Sequence, residues 1–174
     1  VLQKEGRVTN AELAERVSRA GSALRTRLDV RMEERVVLLL LDGPAFLCAF
    51  FGAIKIGAVP VPVNTLWTPS EVEYVLNDSR ARVAIVSERL LPVIAAVPSK
   101  RRPRLTHVVV AGGSASAAEG QIGFDDLLSS GQPSFNAEPT SKDDAAFWLY
   151  SSGSTGAPKG CVHLQHDMRV CARL

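Results

Sequence analysis

Cysteine is scarce in this sequence, and none of the three residues, Cys48, Cys161 and Cys171, forms a Cys-x-x-Cys pair. That argues against a disulfide-built scaffold and is most simply met by reduced thiols in a cytoplasmic protein. Cys161, His163, His166 and Cys171 lie near one another along the chain, but their spacing matches no standard zinc pattern, so no metal site is expected from them. Neither sign of charge is in excess: 20 lysines and arginines stand against 18 acidic residues, a net charge of +2. This is too small to suggest a nucleic-acid partner. The one dense basic run, Lys100-Arg101-Arg102-Pro103-Arg104, is short and has no aromatic residues interleaved, so it reads as a solvated loop. An unbroken apolar run of membrane length is also missing. Val36 to Ile54 is about long enough to cross a bilayer, but Asp42-Gly43-Pro44 divides it. A buried strand followed by a buried helix fits the two halves better. The chain opens with Lys4, Glu5 and Arg7 rather than an apolar segment, so no secretory leader is expected, and a start on Val1 reads as clipped.

What remains is an ordinary globular composition, 46% apolar and 22% charged over 174 residues, enough for one domain with a real core. Strand-like and helix-like stretches alternate at short intervals. Thr9 and Glu12 form a capping box ahead of Leu13, Val17, Ala20 and Leu24, which recur at helical spacing. Arg35–Leu41 is apolar without alternation, as in a parallel strand covered on both faces. Pro44 to Gly57 reads as a helix whose small residues Ala45, Ala49, Ala53 and Gly57 would let it approach a sheet closely. In the following "AVPVPVN", Pro60 and Pro62 cannot donate, which predicts an irregular or edge strand. A second capping box, Thr68 and Glu71 with Pro69 between them, opens another helix. Arg82–Ser87 and His107–Gly112 read as strands, and "ERLLPVIAAV" between them as a helix disturbed by Pro92. A small-residue loop, "GSASAAEG", then leads to a short helix in "FDDLLSS" and a polar connection. This order predicts an α/β fold with a largely parallel sheet flanked by helices.

The most informative stretch is "YSSGSTGAPKG", Tyr150 to Gly160, set between the apolar strands "AAFWLY" and "CVHL". A plain linker does not belong between two such strands. Gly153, Gly156 and Gly160 permit close backbone approach to a bound group. Ser151, Ser152, Ser154 and Thr155, with the loop amides, can donate to phosphate oxygens, and Lys159 adds a mobile positive charge. A Walker loop is excluded: Gly-Lys-Ser/Thr occurs nowhere, Pro158 precedes the lysine, and the chain returns as a strand rather than a helix. His163 is expected to be a strand residue and His166 a polar residue at a helix end.

With these residues in view, the stretch resembles the phosphate-binding signature of the AMP-forming adenylating enzymes: acyl- and aryl-CoA ligases, peptide-synthetase adenylation domains and luciferases. Two further segments resemble that superfamily in the expected order. "VTNAELAERV" resembles its helix-opening motif, with Asn10 where an aromatic is usual, and "IKIGAVPVPVN" its Lys-x-Gly-x-x-x-x-Pro segment. "GAIKIGAVPVPVNTLWTP", "FWLYSSGSTGAPKG" and "VHLQHDM" look most like the benzoate–CoA ligase group.

The resemblance implies ATP-dependent attack of a carboxylate, benzoate or a related aromatic acid, on the α-phosphate, followed by thioester formation with coenzyme A. It implies that Ser151, Ser152, Gly153, Ser154, Thr155, Gly156 and Lys159 hold the nucleotide phosphates, with Lys159 as the one catalytic candidate. Mg2+ would find its ligand outside this chain. Residues 1–174 are expected to be a single, incomplete N-terminal AMP-binding domain without the C-terminal domain, and inactive alone. Its buried strands, Arg35–Leu41 and Arg82–Ser87, would have an open side and leave the chain prone to aggregate. Two other readings stay open, a non-catalytic remnant and a stand-alone nucleotide-phosphate-binding module without turnover. No membrane partner is expected.

Overall fold

The computed structural model describes residues 2–3, 6–112, 120–151 and 156–171, with side chains from residue 8 onward. A short antiparallel ribbon, β1 (Leu2–Gln3) and β2 (Gly6–Arg7), precedes helix α1 (Asn10–Thr26). The capping box forms: Thr9 N–H donates to Glu12 Oε2 at 2.8 Å, and Glu12 N–H donates to Thr9 Oγ1 at 3.2 Å. Then come β3 (Arg35–Leu39), α2 (Pro44–Lys55), β4 (Val59–Pro62) and α3 (Pro69–Asp78), the last opened by the second capping box on Thr68 and Glu71. The span from Val36 to Ile54 therefore is a strand and a helix, and among the described residues no helix is long and apolar enough to cross a membrane. β5 (Val83–Ser87) leads into a tight turn at Glu88–Leu90 and the short α4 (Leu91–Ala95). Pro92 lies in the first turn of α4, where its missing N–H costs nothing, so the expected longer helix is split ahead of it. β6 (His107–Ala111), β7 (Gln121–Gly123), α5 (Phe124–Ser129), β8 (Ala145–Ser151), β9 (Lys159–Leu164) and α6 (Gln165–Cys171) complete the chain.

Five strands form one sheet in the order β4-β3-β5-β6-β7, every neighbouring pair parallel. Strand period two sends alternate residues to opposite faces. Val36 and Leu38 of β3, with Val83 and Ile85 of β5, pack under α1, α2 and α5. Val37, Leu39, Ala84 and Val86 pack on the other face with Val72, Val75 and Leu76 of α3 and Ile94 of α4. Both faces of β3 and β5 are thus covered, and the expected open side is not there. Large apolar side chains are exposed instead at Leu149, Val162 and Val170, on β8, β9 and α6. The small strand β7 has no signature of its own in "QIG"; it forms because the outer edge of β6 offers a ladder to pair with.

β4 is an edge strand, as its prolines require. Val59 N–H donates to Glu34 O at 2.9 Å and Val63 N–H to Leu38 O at 3.1 Å, so odd positions face β3. The N–H groups of positions 60 and 62 would point outward, and proline has none. β8 runs close alongside β4, yet among the described residues it pairs only with β9, antiparallel, as a separate two-stranded sheet.

The small-residue stripe of α2 does bury Ala49 and Ala53, but a tighter contact is made to α1 rather than to the sheet. A Cβ on Gly52 would lie 2.8 Å from Ala20 Cβ and 2.9 Å from Gly21 N, and one on Gly21 would lie 2.7 Å from Gly52 O. The two glycines let the helix backbones touch. Gly52→Ala should overpack this crossing and cost about 1–3 kcal/mol, read as a lower unfolding midpoint in denaturant. An unchanged midpoint would show that the helices do not depend on the contact. Cys48, buried on α2, gives a second test. Burial pushes its thiol up to about 11 from an ordinary 9.0, with Arg16 pulling weakly the other way. The folded state then holds the proton more tightly than the unfolded one. Its contribution to stability is complete below pH 9.0 and is lost as pH rises toward about 11. Alkylation at neutral pH should label the exposed Cys161 and Cys171 and spare Cys48 until denaturant is added.

Candidate functional site: the tip of the β8–β9 hairpin

The hairpin is apolar at its base and polar at its tip. Among the described residues, Ser151 and Lys159 are the last pair of the hairpin. The structure brings Ser151 and Lys159 together as cross-strand partners, and both, with Gly156, are exposed. A Cβ on Gly156 would meet nothing within 4 Å, which leaves open space beside the backbone there. Lys159 makes no ion pair among the described residues. The other four expected residues, Ser152, Gly153, Ser154 and Thr155, lie outside the described residues. The described tip thus offers a hydroxyl, backbone and one lysine, donors suited to an anion. It offers no carboxylate, so it does not fit Mg2+, which binds through oxygen ligands including one or two carboxylates.

Side chains of β8 fasten this tip to the end of α3. Tyr150 Oη donates to Asp78 Oδ2 at 2.5 Å across 72 residues of sequence. Burial, with the Asp78 carboxylate second, pushes the Tyr150 phenol above its ordinary range, so it stays a neutral donor. Two residues earlier, the Arg35 guanidinium lies 5.6 Å from the Trp148 ring centroid. Arg35 Nε itself donates to Ser79 O at 2.6 Å, at the α3 C-cap. Gly160 sits opposite Tyr150 in the hairpin, and a Cβ there would lie 3.1 Å from Tyr150 Cζ.

The two histidines are committed to packing and capping. His163 is a β9 residue, as expected; it stacks on Phe147 with ring centroids 4.5 Å apart and planes 8° apart, and Phe147 in turn meets Phe50 of α2 at 5.4 Å. Asp167 gathers the start of α6: its Oδ2 accepts from Leu164 N–H at 3.0 Å and lies 3.4 Å from His163 Nδ1, while its Oδ1 lies 3.1 Å from His166 Nε2. His166 N–H donates to Lys142 O at 3.1 Å, and Gln165 N–H to Asp144 O at 3.0 Å, docking α6 on the turn before β8.

The second motif is architectural. Lys55 Nζ donates to Ser18 Oγ at 2.7 Å, and Gly57 has φ +69°, where a Cβ would also press on Met32. Glu138 N–H donates to Lys55 O at 2.8 Å and Glu138 Oε2 pairs with Arg25 at 3.0 Å, so the polar connection before β8 is tied down to α1 and α2.

Sequence reasoning missed Asp78, Arg35 and Asp167 as anchors of the hairpin. Asp78 carried one usable signal. It is an acid in the last turn of a helix, against the macrodipole, which calls for a compensating partner.

The AMP-binding enzyme family matches residues 1–173. The chain belongs to that family. Among curated relatives it is 52% identical over 173 residues to a benzoate–CoA ligase of Thauera aromatica, covering 99% of this chain and 32% of the relative. It is 41% identical over 163 residues to a 4-hydroxybenzoate–CoA/benzoate–CoA ligase of Rhodopseudomonas palustris, covering 92% of this chain and 29% of the relative. The crystal structure of an anthranilate–CoA ligase in complex with anthranoyl-AMP superposes with a TM-score of 0.94 at 36% identity, covering 99% of this chain and 33% of that one. A benzoate–CoA ligase of Burkholderia xenovorans gives 0.83 at 37% identity, covering 99% and 32%. The family member described here thus spans about a third of the length of these relatives. Its fold is that of part of an adenylate-forming enzyme, and its aryl-CoA ligase relatives are acid–thiol ligases.

Within this family member the histidine contacts predict a structural effect. His163→Ala should cost about 0.5–1.5 kcal/mol beyond lost area through the Phe147 stack, measured by denaturant unfolding. An unchanged stability would remove the stack from the account of the hairpin.

Proposed function

We propose that this chain is the N-terminal, phosphate-holding part of an ATP-dependent carboxylate–CoA ligase acting on benzoate or a related aromatic acid. The observation that carries the proposal is the hairpin end at which Ser151 and Lys159 pair and stand exposed, in a chain 52% identical to a benzoate–CoA ligase over its aligned length. In the first half-reaction a carboxylate oxygen attacks the α-phosphorus of ATP, the bond to the bridging oxygen breaks, and pyrophosphate leaves with the electron pair. In the second, the CoA sulfur attacks the acyl carbon and AMP departs. Negative charge grows on the leaving phosphates during the first step, so donors placed there act electrostatically. The loop residues Ser151, Ser152, Gly153, Ser154, Thr155 and Gly156 would cradle the β- and γ-phosphates, and Lys159 would offset their charge. No magnesium ligand is assigned to these residues. Residues 1–174 would form one unit of the ligase's larger domain, working in the cytoplasm.

Thr155→Val and Lys159→Ala in the full-length protein test this directly. Each should slow pyrophosphate release by roughly 10²–10³, the usual loss for a transition-state donor. CoA transfer from a supplied acyl-adenylate should be nearly unchanged, because that substrate carries neither β- nor γ-phosphate. Equal slowing of both half-reactions, timed separately by quench, would make the loop a general structural element and overturn the phosphate assignment.

A further inference from the structure

The hairpin that carries the tip shares no ladder with the main sheet among the described residues, because Pro60 and Pro62 leave β4 without outward donors. What holds it against the end of α3 is side chains. Two residues of β8 on one face, Trp148 and Tyr150, meet the C-terminal end of α3: Arg35 links Trp148 to Ser79 O, and Tyr150 Oη reaches Asp78. That end of α3 is itself closed by hydrogen bonds. Ser79 is fully buried, with its Oγ donating to Val75 O at 2.6 Å, and the other end of the helix is closed by the Thr68–Glu71 capping box. Tyr150 directly precedes Ser151, and its ring lies over Gly160, which directly follows Lys159. One ring thus touches both legs of the loop at its root.

We propose that Tyr150 and Asp78 are positioning residues for the phosphate loop, with Gly160 as the flat seat that the Tyr150 ring requires. The inference rests on the phosphate-holding role given above. The hydroxyl fixes where β8 ends, and the ring fixes how far β9 stands from it. Together they set the separation of Ser151 and Lys159 that the leaving phosphates meet. Tyr150 and Asp78 act through the loop and not by touching the nucleotide, as positioning groups that hold reacting partners in register do.

The test uses the full-length protein and four variants: Tyr150→Phe, Asp78→Leu, the double variant, and Asp78→Asn. Pyrophosphate release at varied ATP and CoA transfer from a supplied acyl-adenylate are timed separately, with Lys159→Ala alongside. Tyr150→Phe and Asp78→Leu should each lower kcat/KM for ATP by roughly 10–100-fold, the cost of a small misplacement. The double variant should be no worse than either single one, because both remove one interaction. Asp78→Asn should retain most of the rate, since its amide oxygen still accepts from Tyr150. CoA transfer should stay within about twofold in all four. A wild-type kcat/KM for ATP in Tyr150→Phe, with Lys159→Ala slow, would overturn the positioning role and leave the phosphate role intact. Additive losses, or equal losses in both half-reactions, would overturn it as well. Wild-type pyrophosphate release in Lys159→Ala would overturn the phosphate role and the positioning role with it. Should Asp78→Leu fail to fold, Tyr150→Phe decides alone, with Gly160→Ala, which displaces the ring and keeps the hydroxyl, expected to show the same selective loss.

Discussion

A parallel sheet of this kind survives only if both of its faces are covered, and most of the chain answers to that requirement. Every residue of β3 from Val36 to Leu39 is buried, alternately under α1, α2 and α5 and under α3 and α4. The order of strands places β3 and β5 inside and sends the proline-bearing β4 and the short β7 to the edges. The glycine contact between α1 and α2 serves the same end. Where Gly21 and Gly52 let the backbones meet, two helices fit over one side of the sheet with their apolar residues directed down.

The β8–β9 hairpin lies outside that sheet. The edge prolines of β4 offer β8 no donors, and among the described residues the hairpin is a separate two-stranded sheet held by Tyr150, Trp148 and the Phe50–Phe147–His163 stack. Such an arrangement suits a phosphate loop. Its root is tied to the C-terminal end of α3. The family's other motifs recur here as supports: Thr9 with Glu12 closes α1, and Lys55 with Gly57 joins α2 to α1 and to the turn into β4. In the third motif Ser151, Gly156 and Lys159 face solvent.

Much of this was legible from residues alone, and for local reasons. Capping boxes at Thr9 and Thr68 act over three residues, proline at 44 and 69 selects the first helical turn, and prolines at 60 and 62 forbid a central strand. The composition of the loop between Tyr150 and Gly160 led to the expectation of an anion site, and its return as a strand ruled out a helix-launching loop. These are determined by the sequence itself, because each depends on neighbours a few residues away. Tertiary structure alone decided the rest. Asp78 meets Tyr150 over 72 residues, Arg19 reaches Gly131 O over 112, and Arg25 meets Glu138 over 113. Gly21 faces Gly52 only once two helices have packed, and β7 exists only because β6 has an edge to offer. No period or cap marks such pairs in advance, since the energy that selects them arises only when the sheet has brought both partners to one place.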